Sequence, residues 1–421
     1  MKHTLSLAFA ATGFAAAFLL RGGDSAASRP ESSAVPVPVR RVLLERNGVS
    51  VVNGGFGSSM ARDPRDKDQF YFLTDRGPNV DGVGGAKVFV VPNYTPTIGR
   101  FRLEGGALRP IAFIELKSSD GKNRTGLPRP QGSVGTQEKA IDADGKPVPN
   151  DPEGIDPEGL AAMADGTFWV SEEYGPDLIH FDAQGKTLER IGPRGEGRAL
   201  PRVLARRRPN RGLEALTATS DGKQLVTVLQ SPLDNPDPSP RKTSRAVRIV
   251  ELDLATGKSQ QYVYLLEKPG HSVHEIAALD ARRFLVIESD GKAPGDPDAP
   301  SKLKKIFAID LAGATDVSDP KNREGGLDFD GKTLEELSAE ELAKAQVRAV
   351  AKREALDLLA AGYPHEKPEG MCVIDPETVA VVNDDDFGIA SDGNGGFVGK
   401  VLFDAARTPD RSTLRFFRLR L

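Results

Sequence analysis

The chain has 421 residues, with 56 Lys and Arg against 60 Asp and Glu, a formal net charge of -4. That near-balance gives no reason to expect a nucleic acid or an anionic membrane as partner, and 38% hydrophobic with 28% charged residues is a globular rather than a disordered composition. Cys372 is the only cysteine, which excludes an intramolecular disulfide, while 44 Gly and 31 Pro predict many tight turns between short strands.

In chain order, the first predicted element is an export signal over residues 1–27. Lys2 and His3 precede the apolar run "LSLAFAATGFAAAFLL", and the small residues "SAAS" follow. Its 16 residues are short for a membrane span. Gly23 stands where a lipidated cysteine would be, so the expectation is a periplasmic or secreted monomer without a membrane anchor. Residues 28–39 form a Pro-rich lead, and residues 40–421 are read as one domain.

From there, short β-type runs dominate, and they repeat. "DPEGLAAMADGTFWVSEEYGP", "NRGLEALTATSDGKQLVTVLQSPL", "SVHEIAALDARRFLVIESDG" and "KPEGMCVIDPETVAVVNDDDFG" each run glutamate, apolar run, polar turn, apolar run, acidic or amide cluster. The glutamate-to-cluster spacings are 14 (Glu158 to Glu172), 16 (Glu214 to Gln230), 13 (Glu275 to Glu288) and 14 (Glu369 to Asn383). An earlier divergent copy, "GGFGSSMARDPRDKDQFYFLTDRGPN", offers Ser58 at the glutamate position and Asp75 at the far end. Two strands of about five residues and a tight turn fill each spacing, so both polar ends of a repeat meet at one sheet edge. Further strands follow several hairpins, and repeated four-stranded units predict an all-β fold, a β-propeller. Six blades are expected, the sixth built from "GRFRLEGGALRPIAFIEL" with the C-terminal "STLRFFRLRL"; five or seven remain open.

Two segments depart from the pattern. Ser118 to Asn150 is polar and reads as a surface loop. Residues 333–361 read as a helical excursion between blades, with Ser338 and Glu341 as a capping box and Leu342, Ala345, Ala349, Leu356 and Leu359 on one face.

Converging carboxylates repel one another and resist losing water, so they persist only where cations, basic side chains or water neutralise them. The predicted metal ligands are Glu158, Glu214, Glu275 and Glu369 at the strand starts, with Glu172, Glu288, Asn383, Asp384 and Asp386 at the strand ends. An oxygen-rich, histidine-poor set favours a hard cation, calcium first. Glu173 or Asp385 would serve as general base, and Arg211 as a phosphate anchor. The competing expectation is that the carboxylates cap strand ends and pair with Arg76 and Arg211. His271, His274 and His365 precede repeat glutamates, but no zinc-type spacing is present. In the doubled "DPEGIDPEGL", Glu158 has the repeat spacing, and Glu153 reads as a loop carboxylate.

Taken together, the five motifs resemble the phytase-like domain family, also described as proteins with esterase-like activity of phytase. The resemblance spans about residues 40 to 420 and implies an exported bacterial β-propeller with calcium-dependent phosphoester hydrolysis. It carries Glu158, Glu172, Glu173, Glu214, Glu275, Glu288, Asn383, Asp384 and Asp386 to the channel. The expected partner is a small phosphorylated molecule; alternatives are a carboxylic-ester or lactone hydrolase at the same site, or a non-catalytic ligand-binding propeller.

Overall fold

Each repeat closes on a turn whose aspartate folds back on the chain. In the second sheet, Asp165 accepts from the Thr167 backbone N–H at 2.9 Å, and Gly166 takes a left-handed φ of 92°. The resulting hairpins pair the start of one strand with the end of the next: Pro157 with Glu172, Leu213 with Leu229, Ser272 with Ser289 and Lys367 with Asp384. The polar ends of the repeats therefore lie on one edge, as their spacing predicts. The structure, a computed structural model, describes residues 34–130, 132, 136–195 and 198–420. The export signal and residues 28–33 of the Pro-rich lead fall outside the described residues.

Among the described residues, five four-stranded antiparallel sheets form. The first joins Ser59–Arg62, Gln69–Leu73, Thr97–Glu104 and Ala107–Glu115; the second joins Pro157–Ala162, Phe168–Glu172, Asp177–Phe181 and Thr187–Ile191. The third comprises Leu213–Ala218, Gln224–Leu229, Ala246–Asp253 and Ser259–Leu265, and the fourth Ser272–Ala278, Arg283–Ser289, Lys304–Asp310 and Ala351–Asp357. The fifth takes Lys367–Asp375, Thr378–Asp384 and Thr413–Arg418 from the end of the chain and Ala34–Pro36 from its beginning. The first strand of each sheet neighbours the first strand of the next, and that of the fifth neighbours Ser59–Arg62. Apolar clusters fill the junctions: Tyr71, Leu73 and Ile98 meet Leu160, Phe168 and Val170, whereas Met60, Phe70 and Phe72 meet Cys372, Ala380 and Val382 where the fifth sheet returns to the first. The all-β, propeller-like expectation holds at this level.

Three expectations need correction. The two segments predicted to make a sixth sheet separate, because Thr97–Glu115 completes the first sheet and Thr413–Arg418 pairs with Ala34–Pro36 in the fifth. The helical excursion shrinks to one α-helix, Ala339–Lys344, capped by Ser338 and Glu341 as expected, after a short 3-10 turn at Leu334–Glu336. Ala351–Asp357 is instead a strand paired with Lys304–Asp310, with Ala355 buried; cross-strand pairing outweighs its helix propensity. The polar stretch after Ser118 is also more than a surface loop. It buries Arg124 and Arg129 and contributes Lys139–Ile141 to a three-stranded sheet with Ala86–Phe89 and Asn79–Asp81.

The two ends of the first strands differ in chemistry. Their far ends line a cavity of about 340 Å³ with aliphatic side chains such as Met60, Leu160, Leu216, Ile276 and Met371. Their starts carry the carboxylates. Among the described residues, no helix is long and apolar enough to cross a membrane.

Candidate functional site

The second or third residue of four first strands breaks the pairing register. The irregularities fall between Pro157 and Gly159, Leu213 and Ala215, Val273 and Glu275, and Pro368 and Gly370. A bulge leaves one residue without a cross-strand partner and re-aims its side chain. Those residues are Glu158, Glu214, His274 and Glu369, with Ser58 at the matching place beside the first sheet.

Two groups of side chains converge here. Ligand atoms of Glu214, His274 and Glu369 lie within 4.8 Å of one another, and so do those of Asp156, Glu158 and Glu173. His274 Nδ1 is 3.6 Å from Glu214 Oε1 and 3.5 Å from Glu369 Oε1, while its Nε2 is 2.8 Å from Ser289 Oγ. Gln230 Nε2 donates to Glu214 Oε2 at 2.7 Å, and Ser58 Oγ donates to Glu158 Oε2 at 2.6 Å. Asp156 accepts the Arg76 backbone N–H at 3.2 Å and faces its guanidinium at 3.5 Å. Two buried atoms, Glu173 Oε1 and His274 Nδ1, have no hydrogen-bond partner.

Electrostatics follows from this crowding. Burial, then Asp156, Glu214, Glu173 and Glu369, push the Glu158 carboxyl well above the usual carboxylate range. Burial and Glu214 do the same to Glu173, against the pull of Arg211. Asp156 rises to about 6 through burial, despite Arg76, and Asp75 to about 8 through burial and the Asp156 charge. Glu369 goes the other way: burial opposes its ionisation, but Lys367 and His274 outweigh it. Burial disfavours the His274 cation, yet Glu214 and Glu369 raise it above its ordinary value.

Of the predicted residues, Glu158, Glu173, Glu214 and Glu369 come together. Asp384 and Asp386 border them and are tied to Lys367 at 3.0 and 2.7 Å. Arg211 borders Glu173 electrostatically, and its guanidinium donates to Ser272 Oγ at 2.9 Å. Arg76 pairs with Asp156 and with Glu138 at 2.9 Å, neither of which is a repeat carboxylate expected to pair with it.

The other predicted residues lie elsewhere, each for a structural reason. Glu172 caps the Tyr174 and Gly175 backbone N–H groups and meets Arg129 at 2.9 Å. Glu288 accepts from Tyr264 Oη, the Glu267 N–H and Lys352, away from the mouth. Asn383 bridges Asp410 and the Thr413 N–H. Asp385 is buried and receives the Gly55, Phe387 and Ser412 N–H groups at 3.0 to 3.1 Å, so it fastens three segments and is placed for no proton transfer. Glu153, itself exposed, pairs with the buried Arg124.

Glu275 needs the largest revision. It sits one residue past the bulge, level with Ser59, Gly159, Ala215 and Gly370 in the other sheets. Those small residues leave room, and the Glu275 carboxyl takes it, accepting from Ser59 Oγ and from the Leu216 and Ile276 N–H groups. His274 replaces it at the mouth. Comparing "VHEI" with "PEGL" and "LEAL" one residue earlier would have found it. Asp156 and Lys367 precede bulged residues by two positions, a signal the repeat alignment also carries.

Gly212 shows how tightly the mouth is built. A Cβ there would lie 2.3 Å from the Glu173 carbonyl oxygen and 2.7 Å from its Cα. Gly212→Ala is therefore expected to cost about 2 kcal/mol, from main-chain displacement in a packed site. Denaturant unfolding checks it, and an unchanged midpoint would mean the two strands separate without strain.

An "Uncharacterized secreted protein" from Arthroderma benhamiae is 34% identical over 134 residues, and the match spans 26% of this chain and 26% of that relative. Among solved structures, the nidogen/laminin complex aligns over 81% of this chain and 80% of that one at 9% identity, with a TM-score of 0.34. Virginiamycin B lyase from Staphylococcus aureus aligns over 85% and 78% at 13% identity, with a TM-score of 0.32. Scores this low carry no argument about fold or function. The sequence profile described as "Esterase-like activity of phytase" matches residues 52–387, and on that extent, with its repeats in order, the chain belongs to the phytase-like family.

Proposed function

We propose that the protein is an exported phosphoester hydrolase, a propeller of five blades whose mouth binds a divalent cation. The observation that carries this reading is the pair of largely buried acidic groups, Asp156–Glu158–Glu173 and Glu214–His274–Glu369, each with an atom that finds no hydrogen bond. So many buried carboxylates without matching positive charge are unfavourable unless something neutralises them. The all-carboxylate group suits calcium, which prefers oxygen ligands, whereas the imidazole of the other does not. A bound cation would supply Lewis acidity and offset the charge of a phosphate.

The chain's own groups do the rest. Asp156, Glu158 and Glu173 would hold the cation, with Arg76 and Ser58 fixing the first two. Arg211, beside Glu173, is placed to hold a phosphate oxygen. Glu173 would take the proton of the attacking water on the oxygen the cation leaves free. Lys367 favours the charged form of Glu369 at the rim, whereas for Asp384 it only partly offsets the burial that pushes that carboxyl up.

The test is a substrate panel: p-nitrophenyl phosphate, p-nitrophenyl acetate and a set of lactones, each with added calcium and with EDTA. Phosphate release that EDTA abolishes and calcium restores is expected. Turnover of the acetate or lactones alone would assign an ester or lactone hydrolase, and no turnover with metal restored would assign a binding protein.

A further inference from the structure

The two groups at the mouth differ in donor chemistry. Asp156, Glu158 and Glu173 offer carboxylate oxygens only. Glu214 and Glu369 share their group with a ring nitrogen, and all three residues there are buried. The bulge in Ser272–Ala278 places His274, and not the following glutamate, at this level.

The hydrogen bonds around His274 leave one nitrogen unaccounted for. Nε2 is held by Ser289 Oγ at 2.8 Å, and that oxygen also accepts the Gly291 N–H at 3.1 Å. Nδ1 makes no hydrogen bond, though His274 is only 6% exposed. It faces Glu369 Oε1 at 3.5 Å and Glu214 Oε1 at 3.6 Å. Those are roughly the separations of neighbouring ligands around a cation bonded at about 2.1 Å. The outer partners fit the same purpose. Ser289 orients the imidazole and Gln230 fixes the second oxygen of Glu214, as outer contacts do for metal ligands.

We infer that the mouth has two cation subsites of unlike preference. Glu214, His274 and Glu369 take a zinc-class cation, and Asp156, Glu158 and Glu173 take calcium. A nitrogen donor suits a borderline cation far better than calcium, and three protein ligands leave the open position typical of zinc sites that do chemistry. Three carboxylates, one of them with a partnerless oxygen, suit the harder ion. The inference rests on the reading of the mouth as a cation site but not on the substrate. The rival occupant of the first group is a proton, which would make His274 an imidazolium clamped by two glutamates.

The experiment strips the full-length mature protein with a chelator and reloads it with zinc chloride, calcium chloride or both. Elemental analysis after desalting should find both metals together, and X-ray absorption at the zinc edge should show imidazole scattering in the wild type. His274→Gln should weaken zinc binding by about a hundredfold or more and leave calcium binding unchanged. Glu173→Gln should do the reverse. Zinc that is not retained, zinc without imidazole scattering, or variants that weaken both metals alike would overturn the inference; the first of these also identifies the proton as occupant. The wild-type spectrum decides the matter even if a variant misfolds. Phosphate release is assayed separately, so an inactive protein with both metals bound would sink the phosphatase reading and leave the two subsites standing.

Discussion

Exchanging Glu158 for glutamine is expected to lower phosphate release by about a hundredfold or more without lowering the melting temperature of the metal-free protein near pH 7. The two halves of this expectation have one cause. Glu158 is crowded by Asp156, Glu214, Glu173 and Glu369, and burial with these charges pushes its carboxyl well above the usual carboxylate range, so without a cation the folded chain favours the neutral form. Glutamine copies that neutral form in size, and its amide oxygen can still accept from Ser58 Oγ, which donates to Oε2 at 2.6 Å in the native chain. No stability is lost, because glutamine does not carry the cost of holding a carboxyl that the unfolded chain would ionise. Function is different, since holding a cation requires the ionised carboxylate that glutamine cannot supply. Measuring kcat/KM for p-nitrophenyl phosphate beside thermal melts in EDTA separates the two effects. Retained activity would remove Glu158 from the site, and a melting temperature lower by many degrees would make its role structural.

The repeat architecture was legible because a hairpin leaves its length in the sequence. The distance from Glu158 to Glu172, or from Glu369 to Asn383, is that of two strands and a turn, and the structure pairs those ends. The closing of the fifth sheet was not legible, since Ala34–Pro36 pairs with Thr413–Arg418 from the opposite end of the chain. The site divides in the same way. Glu158, Glu214 and Glu369 could be found because a glutamate fills the bulged position in three sheets. His274 was passed over for Glu275 by one residue, because a bulge changes which neighbour turns to the mouth without changing composition. Glu172 and Glu288 read as ligands and Asp385 as a base because an acidic side chain that caps N–H groups reads the same as one at a reactive site. Only their partners distinguish them: backbone N–H groups around Asp385, Arg129 beside Glu172, and Lys352 with Tyr264 around Glu288.

The metal-free protein is expected to lose stability as the pH rises from about 5 to about 8, and calcium is expected to cancel the loss. Asp156 and Asp75 ionise near the ordinary aspartate value of about 4 when unfolded. In the folded chain burial, and for Asp75 the Asp156 charge, raise them to about 6 and about 8. Between those limits the folded state holds protons that the unfolded state has released. Stability therefore falls with rising pH until the folded carboxyls have ionised as well. Each displaced pKa unit is worth about 1.4 kcal/mol, so the two groups together amount to several kcal/mol across the window. A cation reverses the sign of the trend. It binds the ionised carboxylates, so its stabilisation grows as protons become easier to displace. Melts in EDTA and in excess calcium at about pH 5, 6.5 and 8 would show diverging curves, and Asp75→Asn with Asp156→Asn should flatten the EDTA series. A metal-free curve that is flat or rises with pH would mean that Arg76 and Lys367 already neutralise the mouth. The case for a cation there would then have lost its electrostatic basis.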